Sequence, residues 1–384
     1  MRILILTFSF GKTSSGNATE RIIDELVRKG NNVVVVCGNN YAKKKDYPVM
    51  LINPKPLKPS KVLKTIGNFL KKELNYYFWE YRAKKYCLKL IDSFDPHYIY
   101  SRGSPITSMI VGDYLNSITG KPHFVHFADP IPPTKDWMDM ESERKKNLKT
   151  IKPIFENVDA SFFVTKEMLT YQHNILEEVI NLKKSFISPN AILDFKQFGS
   201  PKNDKIIFSY VGTFSRQRNP KLISDAFIKF AYNKNDVEFH IFGNKSNIEL
   251  FKSLEITHPK IKVFGPTDNV REVFEKSNIL IDIDAKVDEP VFISGKLMEY
   301  LSFDRHVLLI SQFNSPSYNL TKNLTNSVIR TGLNIDDIAK GFLQSYQLKW
   351  NENDFNERMK LYSKYSLENI VEKLEKNIEE VLNA

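Results

Sequence analysis

A chain of 384 residues with 42% hydrophobic and 26% charged residues is long enough for two globular domains and too apolar for a disordered one. Its two cysteines, Cys37 and Cys87, exclude a disulfide framework, and no Cys/His cluster has the spacing of a structural zinc site. The formal net charge of +10 is matched by one segment: from Lys43 to Lys89 there are thirteen Lys/Arg against three acidic residues.

The opening MRILILTFSFGKTSSG carries an apolar run broken by Thr7 and Ser9, with no small-residue cleavage site after it. It reads as a first core strand of a cytoplasmic protein rather than a signal peptide, and no stretch reaches the ~18 apolar residues of a membrane span. Strands are expected at Arg2–Phe8, Asn32–Cys37, Val49–Ile52, Tyr98–Ser101, Phe124–Phe127, Ser161–Val164 and Phe186–Ile187. Helical periodicity fills about 18–29, 60–92, 105–118, 140–156 and 166–181 between them. In the 43–89 segment Phe69, Leu70, Leu74, Tyr76, Tyr77, Phe78, Trp79 and Tyr81 interleave with lysines. That mixture suits either a solvated helix face or a surface for anionic membrane lipid, which would place the protein peripherally at the inner face of the membrane. No nucleic-acid motif accompanies the charge, so nucleic acid is not expected as a partner.

Turn formers from Ser188-Pro189-Asn190 to Asn203 mark a linker, after which the pattern begins again. Lys205–Val211, Val237–Phe242, Ile261–Phe264, Ile279–Ile283 and Val307–Ile310 read as a second set of strands, with helices at about 219–233, 246–255, 269–276 and 294–303. After about residue 335 the strands stop and the chain becomes helical and charged. Two successive βα runs imply two doubly wound parallel sheets, each with a crevice where its strand order reverses.

The second half holds two candidate anion contacts. In FSYVGTFSRQRNPKLISDAF a strand ends at Val211, Gly212 lets the backbone turn, and Arg216 and Arg218 precede a helix with Pro220 in its first turn. The same pattern is an ordinary loop with exposed arginines if taken alone. In DIDAKVDEPVFISGKLMEYLSFDRHVLLIS, Ser294 can cap a helix whose first residues are Gly295 and Lys296, and Glu299 lies one turn on, able to accept ribose hydroxyls. The simpler account is a dipole-stabilised carboxylate and a snorkelling lysine. Asp282 and Asp284 alternate on a strand, which suits a polar strand end better than a metal pair. His97, His123 and His126 read as core or cleft-lining residues, with His126 and Arg102 the candidates for acceptor contact.

VGTFSRQRNPKLISDAF, VEFHIFG, KIKVFGPTDNVREVFEKSNILIDI and SGKLMEYLSFDRHVLLIS, in this order, resemble the donor half of family-4-type GT-B glycosyltransferases. The opening TFSFGKTSSGNATERIIDELVRKGNNVVVVC, the linker SPNAILDFKQF and YIYSRGSPITSMIVGDYLNSITGKPHFVHFADP are similar to that family too, the last to a subgroup with an Arg-Asp-Pro-Trp-like element. The resemblance implies a GT-B fold of two Rossmann-like domains facing across a cleft. Residues 1–190 would bind acceptor, 191–204 would link, 205–360 would bind donor, and a helix over 361–384 would pack back on the first domain. It implies a UDP- or GDP-sugar as co-substrate, no metal, retention of configuration, and a glycan or lipid-linked acceptor in surface polysaccharide or glycolipid biosynthesis. Arg218 matches the family's diphosphate-binding basic residue and Glu299 its ribose-binding glutamate. Gly295 and Lys296 fall where donor phosphates or sugar approach, Gly16 falls in the loop facing acceptor and donor phosphates, and Asp129 matches the subgroup's acidic residue. This sequence departs from the pattern at Val291, where the family has its first glutamate, and at Thr213, where it often has an arginine that Arg216 would replace. Ala128 and Ile131 stand in place of the subgroup's Arg and Trp. Those departures keep open a catalytically silent GT-B partner or scaffold, and more remotely a sugar-nucleotide epimerase.

Overall fold

The computed structural model describes residues 1–11, 13–40, 44–52, 68–103, 105–137, 140–176, 180–215, 217–267 and 269–384, and of residues 14, 40 and 68–73 the backbone alone. The chain divides into one unit of Met1–Asn190 with Leu367–Ala384 and a second of Ala191–Ser366.

The first unit is built on a seven-stranded sheet: β1 (Arg2–Phe10), β2 (Asn32–Asn40), β3 (Val49–Leu51), β4 (Tyr98–Gly103), β5 (His123–Phe127), β6 (Ala160–Phe163) and β7 (Ser185–Ile187). Its order is β3-β2-β1-β4-β5-β6-β7, with every pair parallel. Every residue of β4, β5 and β6 is buried, as expected for strands covered by crossover helices on both faces. The helix Ser14–Arg28 starts four residues before the periodicity suggests, because Thr13 caps it by accepting from the Gly16 N–H at 3.0 Å. The final helix, Leu367–Leu382, belongs to this unit and buries Ile370, Val371, Leu374 and Ile378. Three of these join the cluster of Ile3, Ile5, Val33 and Val35, and burial of such side chains contributes ~1.5–3 kcal/mol each. Arg28 meets Glu368 at 3.0 Å, and Asn31 donates to Glu375 at 2.7 Å.

The second unit carries six parallel strands: β8 (Ile206–Val211), β9 (Val237–Phe242), β10 (Ile261–Phe264), β11 (Ile279–Ile283), β12 (His306–Ile310) and β13 (Val328–Thr331), in the order β10-β9-β8-β11-β12-β13. The edge strand β13 and the helix Pro316–Thr321 before it are absent from the sequence expectation. Both are short: four residues of VIRT show no resolvable alternation, and the helix rests on a Ser315 cap and Pro316 rather than on periodicity. Between β8 and β11 the strand order reverses, which places a crevice beyond their carboxyl ends. Among the described residues no helix is long and apolar enough to cross a membrane.

Candidate active site

The chain leaves β8 at Val211 into the Gly212 loop. Asn247, fully buried on the helix Lys245–Ser253, donates through Nδ2 to the Gly212 carbonyl at 2.7 Å and accepts from the Phe214 N–H at 3.0 Å. One side chain thus fixes both ends of the turn. At Gly243, after β9, a Cβ would lie 2.4 Å from the Gly212 carbonyl oxygen, so this packing needs glycine there. The loop closes through reciprocal backbone bonds between Ser215 and Arg218 at 3.3 and 3.1 Å. Arg218 then donates from Nε to the Ile283 carbonyl at the end of β11, 2.9 Å away. Asn219 caps the following helix, Pro220–Ala231, by accepting from the Lys221 N–H at 2.9 Å.

From the end of β11 and the residue after it come two buried carboxylates, Asp282 and Asp284. Asp282 accepts from Ser294 Oγ at 3.0 Å, and the same hydroxyl accepts from the Lys296 N–H at 3.2 Å, capping the helix Gly295–Tyr300. The Lys296 ammonium lies 3.9 Å from Asp282 Oδ1 and over the Tyr210 ring, 5.1 Å from its centroid. It reaches the backbone of Gly212, where a Cβ would stand 3.2 Å from Nζ. Asp284 accepts from Ser315 Oγ at 3.3 Å and Ser317 Oγ at 3.1 Å.

Burial pushes the Asp284 carboxyl up to about 7; Asp282 adds to this, while Ser317, Arg218 and Ser315 oppose it. Burial also lowers the Lys296 ammonium, against the pull of Asp282, with Arg218 lowering it further and Asp284 opposing. Two cations and two carboxylates therefore converge at the switch point. Such a group can bind the oxygens of a diphosphate through its cations and hold those cations in place through its carboxylates.

Among residues singled out from sequence, Arg218, Ser294 and Lys296 meet here around Gly212. Thr213 is exposed, its carbonyl accepting from the Tyr210 hydroxyl at 3.1 Å; Gly295 is exposed at the helix start; and Glu299 is half-buried one turn on from Lys296. Arg216 lies outside the described residues. Sequence alone points to none of Asp282, Asp284, Tyr210 and Asn247 as site residues; the alternating carboxylates of DID are a signal for the first two only. Among the described residues no group of three or more His, Cys, Asp or Glu could hold a metal ion.

In the first unit the corresponding switch point lies between β1 and β4. Gly16 packs where a Cβ would lie 2.4 Å from the Gly11 carbonyl oxygen. Arg102, 1% exposed at the end of β4, lies 3.5 Å from both Thr19 Oγ1 and Asn190 Oδ1. His126 pairs with Arg102 in strand register. Its Nε2 faces the Ser188 carbonyl at 3.2 Å and so carries the proton, leaving Nδ1 to accept from the Tyr100 hydroxyl at 2.5 Å. Burial, reinforced by Arg102, holds this imidazole neutral. Asp129 follows β5 in a segment anchored by Gln172, which bonds both backbone groups of Ile131. Burial raises its carboxyl and Arg102 opposes that rise. His123 is a core residue: burial lowers it to about 3 and it bonds Ser101 Oγ at 2.7 Å.

No protein-family model and no curated protein sequence matches the chain. Solved structures do. Sucrose-phosphate synthase from Thermosynechococcus elongatus aligns with a TM-score of 0.71 at 12% identity, covering 100% of this chain and 99% of that one. Anabaena HepE, solved in complex with UDP and glucose, aligns with a TM-score of 0.68 at 11% identity, covering 99% of each. The UDP-GlcNAc 2-epimerase of Neisseria meningitidis, solved with UDP-GlcNAc bound, aligns less well, with a TM-score of 0.59 at 13% identity over 99% of this chain and 100% of that one. Two doubly wound parallel sheets, joined in this order and matched over their whole length by glycosyltransferase structures, give this chain the GT-B fold.

Proposed function

We propose that this protein is a glycosyltransferase that moves a sugar from a nucleoside diphosphate to a hydroxyl of a glycan or lipid-linked acceptor. The observation that carries the reading is the convergence of Arg218 and Lys296 beside Gly212 at the β8/β11 switch point of a GT-B fold. HepE and the epimerase were solved with uridine nucleotides, which makes UDP-sugars the first donors to try. In the reaction the bond between the sugar's anomeric carbon and the diphosphate oxygen breaks, and a bond to the acceptor oxygen forms. Arg218 and Lys296 stabilise the charge gathering on the departing diphosphate, and Glu299 accepts from the ribose. Asp129, its carboxyl made more basic by burial, orients the acceptor hydroxyl, with Arg102 and His126 shaping that side. Front-face attack, in which the departing phosphate oxygen takes the acceptor proton, would retain configuration. The scheme calls for no metal, so turnover should survive EDTA, and a strict Mg²⁺ requirement would count against it.

Nucleotide release from UDP-, GDP- and TDP-sugars, with and without glycan and lipid-linked acceptors, tests this directly. Acceptor-dependent release supports the transferase. Conversion of the sugar without any acceptor would make the chain an epimerase. Silence with every pair, despite nucleotide binding, would favour a scaffold. That second reading is carried by Val291, an apolar side chain only 3% exposed where the resemblance puts a sugar-binding carboxylate.

The basic segment supports a membrane partner. On the helix Asn68–Phe94 one stripe, Trp79, Ala83, Cys87 and Ile91, is buried, while Tyr77 and Tyr81 are 63% and 53% exposed and lead to exposed Lys85 and Lys89 at four-residue spacing. Lys85 lies over the Tyr81 ring, 4.5 Å from its centroid. An aromatic and cationic face of this kind suits the headgroup region of an anionic bilayer, where a lipid-linked acceptor would lie. Flotation with phosphatidylglycerol vesicles at low salt should carry the protein upward, and failure to float would remove the membrane partner. Residues 43 and 53–67 of the segment, and the side chains of 68–73, lie outside the described residues.

A further inference from the structure

We infer that Asp282 is a positioning residue, whose carboxylate holds the Lys296 ammonium against the Gly212 turn. The inference rests on the donor-site reading above and deepens it.

Asp282 is fully buried, and its Oδ1 serves two neighbours: Ser294 Oγ at 3.0 Å and Lys296 Nζ at 3.9 Å. Its Oδ2 is buried without a hydrogen-bond partner among the described residues. A carboxylate removed from water with half its acceptor capacity unused is costly, and an adjacent cation is what offsets that cost. The lysine has the complementary need. It is 23% exposed, stands over Tyr210, and faces Arg218 from the loop after β8 and Asp282 and Asp284 from β11 and its following loop. Burial and Arg218 both disfavour its charge; Asp282 and Asp284 favour it. Asp284 already accepts from two serines, whereas Asp282 Oδ1 stands 3.9 Å from the ammonium, so Asp282 is its nearest counter-charge by geometry. The Ser294 bridge adds geometry: one hydroxyl ties the carboxylate to the first turn of the helix carrying Lys296.

The test is the titration of Lys296 itself, read without any nucleotide. Competitive labelling with an amine-reactive reagent between pH 6 and 11, followed by mass spectrometry, gives the midpoint at which Lys296 becomes nucleophilic. D282N should move that midpoint down by about one unit or more. S294A, which removes the cap but leaves the carboxylate, should not move it. An unchanged midpoint in D282N, or an equal shift in S294A, overturns the inference. Calorimetric titration with UDP and GDP adds the functional arm. D282N should weaken binding of whichever nucleotide binds by at least tenfold, with the alkaline limb displaced to lower pH, and should add less than twofold in a K296M background. Additive losses would overturn it. Wild-type protein that binds neither nucleotide, or K296M that binds as wild type, would remove the donor-site reading while the labelling result still stands. If D282N does not fold, recovery of wild-type melting in D282N/K296M supports the coupling, and failure to recover refutes it.

Discussion

Arg218→Ala tests the site at its most exposed assumption. Among the described residues the side chain makes one charged hydrogen bond, from Nε to the Ile283 carbonyl at 2.9 Å, and it is half-buried. Net values for bonds to charged groups run at about 1.5–3 kcal/mol, and partial exposure argues for the lower end. For a unit of this size ~1.5 kcal/mol lowers Tm by roughly 3–6 °C, so the variant stays folded. Catalysis should suffer more. A preorganised donor aimed at developing charge contributes on the order of 100–1,000-fold in kcat, about 2.7–4 kcal/mol. Loss of Arg218 also removes a charge that lowers both Lys296 and Asp284, so Lys296 becomes more firmly protonated while Asp284 rises further. The remaining cation is therefore intact, and the loss reports on Arg218 itself. Acceptor-dependent nucleotide release, measured alongside Tm, gives both numbers. Turnover within threefold of wild type in a folded variant would refute the assignment of Arg218 to the diphosphate.

Three further outcomes follow from the same geometry. Asp284 has its carboxyl raised from 3.8 to about 7 in the folded chain, so its contribution to stability is fully present below about pH 4 and is lost as pH rises through about 7. The Tm of wild type should therefore fall relative to D284N across that window, and parallel curves would show that the carboxyl is not perturbed. Asn247→Ala leaves the Gly212 carbonyl and Phe214 N–H without their partner, which should cost about 2–4 kcal/mol in urea unfolding and weaken nucleotide binding with it. Gly16→Ala would place a Cβ 2.4 Å from the Gly11 carbonyl and 2.7 Å from the capping Thr13 Oγ1, so the first turn must shift, costing about 1–3 kcal/mol by the same measurement.

The two parallel sheets were legible because their strands are buried on both faces and read as apolar runs: ILIL in β1, VVVV in β2, ILI in β11, VLLI in β12. The positions of the two cations of the candidate site were legible for a related reason. Arg218 and Lys296 each follow the carboxyl end of a strand, where a doubly wound sheet leaves its crevice. The acidic half was not. Alternation along a strand suggests that Asp282 and Asp284 share a face, but both faces of this sheet are covered, and nothing local says whether a carboxylate there meets solvent, a metal or a cation. Their meaning comes from Ser294, Lys296, Ser315 and Ser317, between ten and thirty-five residues away in the chain.

That dependence bears on how the departures from the family pattern should be weighed. Val291, taken alone, removes a carboxylate from the donor side and argues for a weakened or silent protein. Yet a buried polar group is retained only where partners compensate it. Here two carboxylates are buried within reach of Lys296 and Arg218, one with an oxygen lacking a hydrogen bond among the described residues and one neutralised in part by its surroundings. For a chain needing only a stable core, well-packed apolar residues would serve as well or better at both positions, since a buried ion pair replaced by hydrophobic side chains is often neutral or stabilising. A charged cluster held by specific serine hydroxyls at a switch point, rather than one dispersed over the surface, is what an anion-binding site requires and a scaffold does not. The acidic character missing at Val291 therefore does not leave the site without carboxylates. They come from the end of β11 and the residue after it, two positions apart, and face the cations Lys296 and Arg218.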